Sequence, residues 1–381
     1  MILLDPLYIS PMLEQALLKT TTPMYDIDQK CFINGSQEGV NWPQDQFIVI
    51  NSEHAIKVLT EQFPHLNAVQ WTNLFKNKAA LRKHLATYFP NFYFQESTLH
   101  DLSKIDRASI PYPIILKPAI GYSSVGVQKI KDAEQFTEVV QQLIANDGLA
   151  TSYSEDILNF QTFILETYIE GQELAVDAYF NTEGQPIILN LFARMFRDEE
   201  DMSDRIYYTS KHVLTEYLPV IEAYLRELGQ SLQINNYPFH IELRMDAQGS
   251  VIPIEVNPLR FAGVGTTELG VHAYQINPYE YALWQWEPDW AQKIAAMDDR
   301  IYSFTCAEFD SHLTFADIEQ IDHEQIKAQF DHLLEYRVLP FDYGTAFAVI
   351  FFVSDSFSQN ERVLAMDFMS FITTKQQALS Y

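Results

Sequence analysis

Residues 240–257, HIELRMDAQGSVIPIEVN, leave this chain little freedom in local fold. Side chains alternate along an extended strand, so His240, Glu242 and Arg244 take one face and Ile241, Leu243 and Met245 the other. On the return, Ile252, Ile254 and Val256 take the apolar side, while Glu255 and Asn257 share a face with Pro253. The intervening DAQGS, residues 246–250, is turn chemistry. A hairpin symmetric about Gln248 and Gly249 sets Glu242 opposite Glu255. Opposed carboxylates repel one another, and a shared divalent cation turns that cost into a reason for the arrangement. Two carboxylates and an amide form the all-oxygen set that magnesium prefers. Pro258 keeps Asn257 extended, so its amide is not absorbed into a helix cap. The plainer alternative is a solvated hairpin with a polar edge.

Two further stretches carry polar groups on apolar strands. In YPIILKP, residues 112–118, alternation puts Ile115 and Lys117 on one side and Ile114 and Leu116 on the other. The lysine is followed by GYSSVG, residues 121–126, a glycine-bracketed turn whose backbone N–H groups could fold over polyphosphate oxygens. Val127 and Gln128 stand where a P-loop requires Lys and Ser or Thr, which excludes a Walker A site. In FILETYIEGQELAVDAY, residues 163–179, two apolar strands flank a polar link, with Glu166 ending the first and Glu173 starting the second. Taken singly, these are an ordinary serine-rich hairpin and a pair of exposed acids.

The charge balance sharpens the question. With 51 acidic and 25 basic residues the net charge is −26, a field that repels phosphate backbones and anionic lipid. Nucleic acid and membrane are therefore not expected partners, and any polyphosphate site must gather its few cations locally or recruit a metal. Cys31 and Cys306 make no metal-ligand spacing, the first residues lack the basic segment of a signal peptide, and no apolar run approaches the ~20 residues that span a bilayer. A soluble, reduced, cytoplasmic protein is expected.

Periodicity gives a strand over 47–50 leading to a helix capped by Asn51 or Ser52, and a helix over 77–88 ended by Pro90. Strands follow over 112–127, 163–180, 187–196 and 239–256, with a helix over 217–230, closed by Gly229, between the last two. Beyond residue 293 the pattern predicts a helix over 322–336, a strand over 346–353 and a helix over 360–372. The fold class is α+β, in mixed α/β lobes, and not a repeating βαβ array.

KPAIGYSSVGV, residues 117–127, resembles the phosphate loop of ATP-grasp enzymes, most closely that of the D-alanine–D-alanine ligases. The resemblance covers about residues 77–262. It implies a nucleotide held between two α+β subdomains, 77–168 and 169–293, after a small α/β lobe over 1–76 and before an α/β extension over 294–381. It further implies that Lys117 and Lys78 contact phosphates and that Ser123 and Ser124 cover them. Glu166 would accept from the adenine amino group, backbone near Tyr168 and Ile169 would read the ring edge, and Glu173 would hold the ribose hydroxyls. Glu242, Glu255 and Asn257 correspond to the metal motif, for magnesium or, as the alternative ion, manganese. In those ligases an arginine precedes the first metal acid by two residues; here His240 stands there. Relatives of the biotin-carboxylase type carry an arginine two residues after the metal asparagine; here Arg260 comes three after. Arg260 either does that arginine's job, shifted by one residue, or pairs with an acid, while Arg244 and Arg194 are expected at the acceptor carboxylate. The activity implied is ATP-dependent joining of a small carboxylate, activated as acyl phosphate, to an amine. The alternatives are a catalytically degenerate nucleotide-binding regulatory module and a biotin-carboxylase-like enzyme. The acidic stretch 197–204 is read as a substrate-covering loop, with a plain solvated loop as the alternative, and the region after 293 as a cap or homodimer surface.

Overall fold

The structure, a computed structural model, describes residues 1–7, 9–33, 41–120, 126–145, 159–197, 205–340 and 344–375; Ser123, Ser124 and all but Arg197 of the acidic stretch lie outside them. The chain divides into two compact units, one made of Met1–Pro6, Pro23–Gly171 and Arg244–Arg260, the other of Leu7–Thr22, Gln172–Leu243 and Phe261–Tyr381.

In the first unit a small sheet runs in the spatial order Cys31–Phe32, Met24–Asp26, Ile2–Leu4, Val49–Ile50. It is parallel about Ile2–Leu4 and antiparallel at the Cys31–Phe32 edge. The sequence offered one strand here, because segments of two or three residues are too short for alternation to register. The helix His54–Gln62 follows Glu53 without a side-chain cap. Asn51, expected as that cap, is committed elsewhere: its Oδ1 accepts from Asp5 N at 2.7 Å and its Nδ2 donates to Asp5 O at 2.8 Å, tying two strand ends together. A second, antiparallel sheet runs Phe94–Thr98, Asn159–Thr167, Ile114–Ile120, Gln128–Ile130. One face buries Ile114, Leu116, Phe163 and Leu165 against Phe136 and Val140 of the helix Ala133–Ala145. On the other, Ala119 and Ile164 meet Ala79, whose small side chain lets the helix Lys78–Leu85 lie close to the sheet. That helix begins where Asn77 Oδ1 accepts from Ala80 N at 3.0 Å, a cap that fixes the position of Lys78 one residue later.

Gly171 ends this unit's long segment with φ +117°, and a Cβ there would stand 2.0 Å from the Met245 carbonyl oxygen. Gly171→Ala is expected to destabilise the protein by about 1–3 kcal/mol from backbone strain alone. Urea unfolding reads this out, and an unchanged midpoint would contradict the close approach.

In the second unit the strands Tyr237–Met245, Gln172–Phe180, Pro186–Met195, Ile206–Thr209, Ile301–Glu308, Ala346–Ser354 and Leu333–Val338 follow one another across one sheet. Ile206–Thr209 pairs antiparallel with Ile301–Glu308, so residues beyond 293 continue that sheet. Ile206, Phe347, Ile350 and Phe352 belong to one core with Ile326, Val363 and Phe368. The helix expected over 217–230 runs Lys211–Leu232 and includes Gly229. Gly229 does not end it; a Cβ there would lie 2.4 Å from the Phe180 ring, so the glycine provides the contact with the sheet. The left-handed C-cap is Gln233, at φ +51°. The helix expected over 322–336 is only His323–Lys327, followed by the strand Leu333–Val338. The helix expected over 360–372 is Ser358–Leu364, followed by a 3-10 turn at Phe368–Phe371. Among the described residues no helix is long and apolar enough to cross a membrane.

Candidate functional site

The first unit gathers cations around two carboxylates, Glu166 buried and Glu255 half-buried. Lys117 lies near the middle of the strand Ile114–Ile120 and is 4% exposed; Glu166 comes from the neighbouring strand Asn159–Thr167 and is 2% exposed. Lys117 Nζ stands 2.7 Å from Glu166 Oε1, and Arg82 Nε donates to Oε2 at 2.6 Å. Burial would raise the Glu166 pKa, but Arg82 and Lys117 overcome it and hold the group at about 2. For Lys117, burial lowers the pKa, Glu166 opposes the shift, and Arg82 and Lys78 add to it; the result is a lysine below its usual range. Arg82 escaped the sequence reading, although its i, i+4 spacing from Lys78 in NKAALR was a signal for a shared helix face.

Lys78 Nζ lies 3.0 Å from Glu255 Oε2, and Asn257 Nδ2 donates to Glu255 Oε1 at 3.4 Å. Burial raises the Glu255 pKa, and Lys78, with Lys117 and Lys76, reverses this to about 2. Arg260 donates from Nη2 to Asn257 Oδ1 and from Nε to Glu53 Oε1, both at 2.9 Å. Lys76 meets the other Glu53 oxygen at 2.7 Å. The extra residue between Asn257 and Arg260 has a physical solution: Leu259 takes φ +61°, is fully buried, and accepts from Ile50 N at 2.9 Å. That kink returns the arginine to the asparagine. Nothing in the sequence pointed to Glu53 or Lys76.

Tyr168 and Ile169 follow the strand that carries Glu166. The Tyr168 ring lies between Lys129 Nζ, 4.1 Å from its centroid, and Arg244 Cζ, 5.1 Å away, and Arg244 Nη1 donates to Ile169 O at 2.6 Å. Arg244 therefore sits against the polar link of the two strands.

In the second unit Arg194 donates to Glu173 Oε1, and both side chains are buried. Asp177, fully buried four residues after Glu173, accepts from His240 Nδ1 at 2.9 Å. His240 Nε2 lies 3.7 Å from Glu242 Oε1, an ion-pair separation wider than a hydrogen bond. Burial would lower the His240 pKa, but Asp177 and Glu242 push it up to about 9. Glu255 and Asn257 belong to the first unit and Glu242 to the second.

Residues 110–268 match the family model described as the ATP-grasp domain. Over that span the chain is similar to the ATP-grasp domain. Its matched span contains Lys117, Glu166, Glu173, Glu242, Glu255, Asn257 and Arg260, while Lys78 and Arg82 precede it. Solved structures with this fold include an L-amino acid ligase from Bacillus licheniformis, 17% identical over 86% of this chain and 79% of that one, with a TM-score of 0.59. An N5-carboxyaminoimidazole synthase from Aspergillus clavatus, in complex with ADP and its ribonucleotide, is 13% identical over 97% of each chain, with a TM-score of 0.59. A biotin carboxylase from Campylobacter jejuni is 12% identical over 87% of this chain and 77% of that one, with a TM-score of 0.54. At these identities the likeness is one of fold. No curated protein sequence matches the chain.

Proposed function

We propose that this chain is a cytoplasmic, ATP-dependent, ADP-forming ligase that activates a small-molecule carboxylate and joins it to an amine. One observation carries the reading: in a protein of net charge −26, Lys117, Arg82 and Lys78 converge on Glu166 and Glu255 in one cluster, buried at Lys117, Arg82 and Glu166 and half-buried at Lys78 and Glu255. Three cations on two carboxylates leave a local positive excess, which is what a polyphosphate needs and the rest of the surface denies it. Lys117 and Lys78 then meet phosphate oxygens, and Glu166, expected at the adenine amino group, is read instead as fixing Lys117, since its two oxygens meet Lys117 and Arg82. The Tyr168–Ile169 backbone reads the adenine edge, and Glu173, oriented by Arg194, accepts from the ribose hydroxyls.

The oxygen donors of Glu242, Glu255 and Asn257 fit Mg²⁺, which takes one or two carboxylates and completes its shell with phosphate and water. Among the described residues no group of three or more His, Cys, Asp or Glu is placed to hold a metal ion. When bound, the ion supplies charge neutralisation on the transferring phosphoryl group. Arg260, held beside Asn257, is the arginine best disposed to steady the oxygen of the reacting carboxylate.

Arg244, expected at the acceptor pocket, is read here as acting at the nucleotide end, a reading supported by its bond to Ile169 O. Arg244→Ala is expected to raise KM for ATP roughly tenfold, the effect of a lost charged hydrogen bond, with the acceptor KM unchanged. The opposite split would return Arg244 to the acceptor.

The L-amino acid ligase of this fold makes amino acids the first substrates to try. ADP and phosphate release, measured against pools of amino acids, short peptides and bicarbonate with Glu255→Gln as the blank, tests the proposal. Amino-acid-dependent release with a condensed product supports it. Release with bicarbonate alone would make the chain a carboxylating enzyme, and no release above the blank with any pool would overturn the ligase reading.

A further inference from the structure

Asp177 is fully buried on the strand Gln172–Phe180, and each of its oxygens accepts two hydrogen bonds. Oδ1 takes one from His240 Nδ1 at 2.9 Å and one from Ala262 N at 2.8 Å. Oδ2 takes one from Asn190 Nδ2 at 2.8 Å and one from Thr267 Oγ1 at 2.6 Å. A carboxylate with four donors cannot turn without leaving buried groups unpaired. Asp177 is thus a fixed anchor, and the His240 ring that bonds to it is fixed in turn, at 4% exposure. His240 and Glu242 are two residues apart on one strand and share a face. The anchored ring presents its second nitrogen to Glu242 Oε1 at 3.7 Å.

We propose that Asp177 is a positioning residue which, through His240, sets the orientation of the Glu242 carboxylate toward a divalent cation. The inference rests on the reading of Glu242 as a metal acid. A hub that only tied Ala262 and Thr267 to the sheet would have no use for a histidine whose far nitrogen meets an acid. Groups that orient a metal ligand from behind are worth about 10–100-fold in metal affinity.

The test is Mn²⁺ affinity of the full-length protein in the presence of ADP, read from the electron paramagnetic resonance of free Mn²⁺. His240→Gln is expected to weaken binding about 10–100-fold, with metal-free ADP affinity near that of the wild type. Asp177→Asn, which sets an amide N–H₂ against two of the four donors, weakens it similarly. The double variant is no weaker than His240→Gln alone, because the aspartate acts through the histidine. If Asp177→Asn does not fold, His240→Gln decides. A wild type that binds Mn²⁺, a Glu242→Gln variant that loses it and a folded His240→Gln variant that retains it would overturn this inference alone. A wild type that takes up no Mn²⁺ with ADP would overturn the metal reading along with it.

Discussion

Glu255→Gln lowers acceptor-dependent phosphate release by a factor of about 10²–10³, the range for loss of one preorganised electrostatic partner of the transition state. The substitution keeps the shape of the side chain and removes its charge. Glutamine can still accept from Asn257, but Lys78, whose Nζ lies 3.0 Å from Glu255 Oε2, loses its counter-charge. The cluster then carries one more uncompensated positive charge, so nucleotide binding persists or strengthens while turnover falls. That division between binding and turnover is the diagnostic feature. It is measured by titrating ADP onto the variant alongside steady-state release, and equal losses in both would place Glu255 in the general integrity of the fold instead.

The largest effect on stability is expected at Glu166. Lys117 and Arg82 both reach its carboxylate from buried positions, at 4% and 6% exposure. Glu166→Gln leaves two buried cations with no anion between them, a change that costs about 3–5 kcal/mol. Urea unfolding at neutral pH measures it, and an unchanged midpoint would mean that the two cations find other partners. The pH dependence follows from the same bonds. With a folded-state pKa of about 2 against an ordinary 4.5, Glu166 contributes its full stabilisation above about pH 4.5 and loses it as pH falls through about 2. Wild-type stability therefore declines across that acidic window more steeply than that of Glu166→Gln, which has nothing there to protonate.

Alternation and turn chemistry made the central strands legible. Long amphipathic segments such as Asn159–Thr167 and Tyr237–Met245 state their period over several residues, and Lys117, Glu166 and Glu255 stand out because they interrupt it. Of the small sheet in the first unit only Val49–Ile50, within the strand expected over 47–50, was legible, since Ile2–Leu4, Met24–Asp26 and Cys31–Phe32 are too short to hold a period. Asn51 illustrates a different limit: a good helix cap by residue type was drawn into a strand-end contact with Asp5, 46 residues away in sequence. The partners Arg82, Glu53 and Asp177 were missed for a related reason. A sequence marks where a charge is unusual, while its counter-charge, set by tertiary packing, lies in an unremarkable stretch. Arg260 lies between these cases, its role obscured by one extra residue that a left-handed Leu259 absorbs.

The division of the chain into interleaved segments bears on its synthesis. The first unit includes the strand Val251–Pro258, on which the helix Asn67–Lys76 packs, so it lacks a wall until residue 260 has emerged from the ribosome. The second borrows residues 7–22, anchored where Lys19 meets Glu280 at 2.5 Å and Asn277 donates to Met12 O at 3.0 Å. Neither unit can mature before most of the polypeptide exists, and fragments cut at Gly171 would each miss part of their own interior.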